Sequence, residues 1–81
     1  FRSNRERLLS LLWELLPQYG LQRPEGVLLD VKLSHHDLAA LIGVTRESVT
    51  VVLGELQQEG LLTVGRQRIV IHDCARLAEL P

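Results

Sequence analysis

Two short apolar runs with helical spacing lie almost end to end in the middle of this 81-residue chain, and they leave few folds open. The first, Leu38-Ala39-Ala40-Leu41-Ile42, follows Ser34. The Ser34 hydroxyl is placed to cap a helix, and Asp37 three residues on completes a capping-box-like exchange. This run stops at Gly43. Val44 alone then separates it from a second cap, Thr45, with Glu47 in the first turn, where the helix dipole favours an acid. The second run carries Val49, Val52, Leu53 and Leu56 at i, i+3, i+4 and i+7, and closes at Gly60.

Two helices joined by so short a Gly-containing turn, with small Ala39 and Ala40 where they approach, predict a helix-turn-helix. The flanking segments extend the pattern. From Asn4 to Gln18, Leu8, Leu11, Leu12 and Leu15 form one helical stripe, which Leu9, Trp13 and Leu16 widen to about 200°, twice the ~100° that one core ordinarily needs. Two readings follow: a small domain wrapped closely around this helix, or Leu9, Trp13 and Leu16 as contacts to another domain or a second subunit. Pro17 is expected to shorten the helix and Gly20 to end it. Pro24-Glu25-Gly26 reads as a turn, and Val27–Leu33 as a strand whose wet face carries Asp30 and Lys32. Leu61–Val64 and Arg68–His72 are β runs around Gly65-Arg66-Gln67, a hairpin with a basic tip. Asp73 is placed to cap a last short helix over Cys74–Leu80. This order predicts one α+β, mainly α domain over residues 1–81, a winged helix-turn-helix. Its three-helix core carries a hairpin wing, with the helix-turn-helix at about 34–59 and the wing at about 61–72.

Composition narrows the function. Nine Lys+Arg against ten Asp+Glu leave a net charge of −1, which argues against nucleic-acid binding through bulk positive charge. Eight of the nine basic residues are Arg, which suits bidentate contacts to phosphate or guanine, so placement matters more than the sum. Hydrophobic residues make up 46% of the chain and eighteen are Leu, enough for a real core. No apolar run reaches a membrane span and no secretory pattern opens the chain, so the cytoplasm is expected. The absence of Met and the start at Phe1 suggest a piece of a longer protein.

Catalysis is not expected. There is no Gly-rich phosphate loop, no G-x-S-x-G elbow and no paired-carboxylate constellation. His35, His36 and Asp37 do not make a metal site, because neighbours on a helix diverge by about 100° and no i+4 His or Cys completes the set. Cys74 reads as a semi-buried structural thiol. No cofactor or metal is expected within this chain.

Burial of Val49, Val52, Leu53 and Leu56 turns Arg46, Glu47, Thr50 and Val51 outward together, with Ser48 beside them. The first residues of such a helix can reach base edges: Arg bonds guanine, Glu accepts from cytosine, and an exposed Val suits a thymine methyl. The bland alternatives are that Val51 tucks under the wing and that Arg46 and Glu47 form a local ion pair.

The stretch Leu33–Leu56, with its Ser/Thr cap, L-A-x-x-I-G and S/T-R-E-[ST]-V-[ST] segments, resembles the helix-turn-helix of the Crp/Fnr family of bacterial transcription regulators. The hairpin and the Leu-rich first helix are similar too, so the resemblance covers essentially the whole chain. It implies a carboxy-terminal DNA-binding domain whose amino-terminal sensor and dimerisation helix lie outside this sequence, and whose effector is unknown. Carried over by position, Arg46 and Glu47 would read bases, joined by Thr50 and Val51. Ser34, His35, His36, Thr45 and Ser48 would meet phosphates, as would Gly65, Arg66, Gln67 and Arg68 at the wing. The family commonly has a second Arg where this chain has Val51, which implies an altered half-site. Double-stranded DNA, a second copy of the protein and RNA polymerase are the implied partners. The competing reading is a winged helix used as a protein-interaction module. It is favoured by the balance of Arg46, Arg66 and Arg68 against Glu47, Glu55 and Glu59 and by the broad apolar arc of the first helix. Glu55 and Glu59, however, fall toward the far end of the second helix, away from the expected groove contact, which weakens that argument.

Overall fold

The computed structural model describes residues 3–66 and 68–72. The elements run α1 (Asn4–Tyr19), β1 (Gly20–Arg23), β2 (Gly26–Leu29), α2 (His35–Ile42), α3 (Arg46–Gln58), β3 (Leu62–Gly65) and β4 (Arg68–Ile71). Three helices pack on a four-stranded antiparallel sheet of order β1-β2-β4-β3, a winged helix-turn-helix.

Helix α1 begins at a full capping box: the Glu6 amide donates to Ser3 Oγ, and the Ser3 amide donates to Glu6 Oε1, both at 3.1 Å. The expected shortening at Pro17 does not occur, and the helix continues through it to Tyr19. Pro17 lies in the last turn, so its missing N–H removes one hydrogen bond near an end rather than interrupting the middle of the helix. Gly20 closes the helix as expected, through its amide to the Leu16 carbonyl.

Gly20 also opens β1, a strand the sequence reading missed. Residues 21–23 are all exposed and show no apolar alternation, so only pairing with β2, Gly20 opposite Leu29 through Arg23 opposite Gly26, defines the strand. The expected strand over Val27–Leu33 is correspondingly shorter and ends at Leu29, because β4 offers partners only at Ile69, Val70 and Ile71. Gly26 is required at this junction. Its φ is +147°, and a Cβ there would run into the Ile71 carbonyl oxygen.

The core gathers Leu8, Leu12, Leu38, Val49, Leu53, Leu56, Leu61, Leu62 and Ile71, all essentially inaccessible. Leu9, one of three residues expected on a partner-facing surface, is 6% exposed and belongs to this core, so the wide apolar arc of α1 is partly explained by close wrapping. Trp13 is 50% exposed and Leu16 half-buried. With Pro17, Gly20, Gln22 and Val27 they line a shallow groove. No helix among the described residues is long and apolar enough to cross a membrane. The expected helix over Cys74–Leu80, its cap Asp73, and Gln67 at the wing tip lie outside the described residues.

Candidate nucleic-acid interface

The turn between α2 and α3 sets the interface. Gly43 adopts the left-handed conformation (φ 71°, ψ 40°), a geometry that β-carbons resist, and its amide and that of Val44 both reach the Ala39 carbonyl. Both helices start at the caps predicted. Ser34 Oγ accepts from the Asp37 amide at 3.1 Å, and Asp37 Oδ2 accepts from the Ser34 amide at 3.0 Å. The Ser34 amide, first, and its hydroxyl, donating to the carboxylate, hold the Asp37 carboxyl below the usual carboxylate range. Thr45 Oγ1 accepts from the Ser48 amide at 3.1 Å and lies 2.9 Å from Ser48 Oγ.

Val49, Val52, Leu53 and Leu56 are buried as expected, and Arg46, Glu47, Thr50 and Val51 are exposed on the opposite side of α3. Val51 is 60% exposed. It lines a shallow depression with Asn4, Glu47, Ser48 and Val52, so it neighbours the start of α1 and does not tuck beneath the wing. Nor do Arg46 and Glu47 form the local ion pair: among the described residues the ion pairs are those of Arg5 with Glu55 and Glu59. Thr50 is more constrained than its neighbours. Its hydroxyl bonds the Arg46 carbonyl at 3.1 Å and His35 Nδ1 at 2.8 Å, tying α3 to α2.

Arg5 was not singled out in the sequence, yet it alters the charge argument. It grips Glu59 through two bonds of 2.7 Å and lies 3.8 Å from Glu55. The bond to Glu59 pushes the guanidinium above its usual range. Glu55 and Glu59 lie toward the far end of α3, and the single Arg5 guanidinium offsets one of their two charges there.

The wing is held to α3 by Gln57, whose Oε1 accepts from the Val64 amide at 2.8 Å. His72 braces its base, with Nδ1 2.8 Å from the Glu25 carbonyl and Nε2 2.5 Å from Thr63 Oγ1. Gly65 faces Arg68 across the tip, and Arg66 is exposed there. Arg68 is also exposed and edges a small apolar cleft shared with Leu12, Leu33 and Ile69. No local pattern marks Gln57 or Arg5, since their partners lie seven and fifty-four residues away. Among the described residues there is no group of three His, Cys, Asp or Glu that could hold a metal ion.

Comparison with known proteins agrees with this geometry. The Crp-like helix-turn-helix domain matches residues 6–80. A global nitrogen regulator from Synechocystis sp. is 35% identical over 78 residues, covering 96% of this chain and 35% of its own length. A cyclic AMP receptor protein from Thermus thermophilus is 38% identical over 80 residues, covering 99% and 34%. Among solved structures, a CooA mutant from Carboxydothermus hydrogenoformans superposes with a TM-score of 0.91 at 30% identity, over 98% of this chain and 37% of that one. A Crp/Fnr-family transcriptional regulator from Thermus thermophilus gives 0.81 at 35%, over 96% and 39%. The chain thus spans about a third of the length of these curated relatives. Residue pattern, winged architecture and these likenesses agree, and the chain belongs to the Crp-like helix-turn-helix domains, the DNA-binding unit of Crp/Fnr-family transcription regulators.

Proposed function

We propose that this domain is the sequence-reading end of a dimeric, effector-controlled transcription regulator acting in the cytoplasm. The observation that carries the proposal is the exposed face of the first turn and a half of α3, where Arg46 and Glu47 make no ion pair among the described residues and Val51 is 60% exposed. In this reading α3 enters the major groove, Arg46 bonds a guanine and Glu47 accepts from a cytosine. Val51 meets a thymine methyl. Thr50, whose hydroxyl is already engaged, contributes through its methyl group.

Phosphates on either side of the groove are met by Ser34, His35 and His36 at the start of α2 and by Thr45 and Ser48 at the start of α3. Gly65, Arg66, Gln67 and Arg68 meet them at the wing. Two helix amino termini and a few Arg side chains supply this without net positive charge, because backbone amides donate to phosphate oxygens directly. Two copies, joined through chain outside this domain, would place α3 in successive major grooves about 34 Å apart on an inverted repeat. Trp13 and Leu16 then face the rest of the regulator. The effector acts by shifting the equilibrium between arrangements of the two helices, and RNA polymerase is the further partner.

The test is a salt titration of duplex affinity, using this chain fused to a dimerising coiled coil. Affinity should fall with rising salt by a slope of roughly 0.9 per phosphate contact. Arg46→Ala should weaken binding and relax one base position. Salt-independent binding, or none at low salt, would leave the protein-module reading instead.

A further inference from the structure

We infer that His35 links DNA binding by this domain to the uptake of a proton, its ring contacting phosphate only as the imidazolium. The inference rests on the DNA-binding reading above and adds a pH-dependent step to it.

The argument is an accounting of hydrogens around one hydroxyl. Thr50 Oγ1 carries a single hydrogen, and it is donated to the Arg46 carbonyl at 3.1 Å. With that hydrogen directed to the carbonyl, Oγ1 accepts from His35 Nδ1, 2.8 Å away, which assigns the neutral ring's proton to Nδ1. A neutral imidazole has one N–H, and here it is engaged between α2 and α3. Nε2 is left as a bare lone pair, with no donor to it among the described residues. A phosphate oxygen is also an acceptor, so neutral His35 presents a lone pair to a lone pair. Adding a proton at Nε2 turns that repulsion into a charge-assisted bond, while Nδ1–H keeps its bond to Thr50. Protonation changes the charge at the interface and leaves the α2–α3 strut intact.

The ring is half-buried at the first position of α2. The charged and titratable residues next to it along α2 are His36 and Asp37, and the first turn of α3, to which Thr50 ties it, carries Arg46 and Glu47. The amino end of α2 itself disfavours a cation. A DNA phosphate is the negative group that would favour the imidazolium, and imidazoles respond between about pH 5 and pH 8.

The experiment follows the His35 ring by nitrogen NMR in the 81-residue chain, free and with a short mixed-sequence DNA duplex at low salt. Duplex affinity is measured in parallel from about pH 8 to about pH 5.5. The free ring should carry its hydrogen on Nδ1 at high pH, and the doubly protonated form should persist to higher pH with DNA bound. Affinity should rise by up to about tenfold as pH falls. His35→Asn, whose amide can still donate to Thr50 but cannot take up the proton, should lose that gain. A neutral ring protonated on Nε2, or a His35→Asn chain that keeps the wild-type pH dependence, would overturn the inference. In that case salt-dependent binding sensitive to Arg46→Ala would leave the DNA-binding reading standing. If His35→Asn fails to fold, the ring titration of the unsubstituted chain decides alone. Absence of salt-dependent duplex binding by the unsubstituted chain would remove both.

Discussion

Val51→Arg restores the residue type that the Crp/Fnr family commonly carries at this position, and its consequences separate folding from recognition. Val51 is 60% exposed, and its neighbours are the shallow lining of Asn4, Glu47, Ser48 and Val52. Little apolar burial is lost on substitution. Arg is the better helix former by a few tenths of a kcal/mol, so stability should change by less than about 0.5 kcal/mol. Recognition should change far more. A bidentate contact to guanine contributes roughly 1–3 kcal/mol of discrimination at one base pair, equivalent to about 5- to 150-fold in affinity ratio. The assay is fluorescence anisotropy of the dimerised chain against duplexes differing only at the position opposite residue 51, with thermal melts of both proteins alongside. The variant should prefer guanine there, and the unsubstituted chain should tolerate or favour thymine. A melting loss equivalent to more than about 1 kcal/mol would refute the exposed placement. Unchanged base preference would refute the assignment of this face to the groove.

Three further substitutions or conditions test the architecture beneath that face. Leu12→Ala removes a fully buried side chain between α1 and the sheet and should cost about 2–5 kcal/mol, read as a large fall in the denaturant midpoint. Thr45→Ala removes the cap of α3 and its bond to the Ser48 amide. It should destabilise the domain by about 1 kcal/mol and weaken duplex binding, measured by melting and anisotropy together. Asp37 has its folded-state pKa lowered by Ser34, so its contribution is present above the unfolded value of about 4 and is lost as pH falls through the lower folded value. Acid melts should therefore show a stability loss beginning below about pH 4 that Asp37→Asn no longer displays.

The central motif was legible because its signals are local. Ser34, Gly43 and Thr45 act through groups within four residues, and the Val49–Leu56 spacing assigns both faces of α3 once its buried side is known. The wing could be read from the β runs on either side of Gly65 for the same reason. Strand β1 was not legible, since residues 21–23 are exposed and become a strand only through β2. Leu9 looked like surplus apolar surface because a helical wheel does not show how far the other elements wrap around α1. The site's supporting bonds were hidden by sequence distance. His35 meets Thr50 fifteen residues on, Gln57 holds the wing, and Arg5 compensates Glu59 from fifty-four residues away in the sequence. This last contact bears on a chain with net charge −1, because Glu55 and Glu59 sit away from the first turn of α3 and Arg5 offsets one of their two charges.

Amide chemical-shift mapping of the isotopically labelled 81-residue chain on addition of duplex DNA at low salt tests the central claim most directly. Shifts should concentrate at residues 34–37, 45–51 and 65–68, and fade as salt is raised. Shifts centred instead on Trp13, Leu16 and Val27, or none at these three segments, would contradict the assignment of DNA binding to the amino-terminal face of α3.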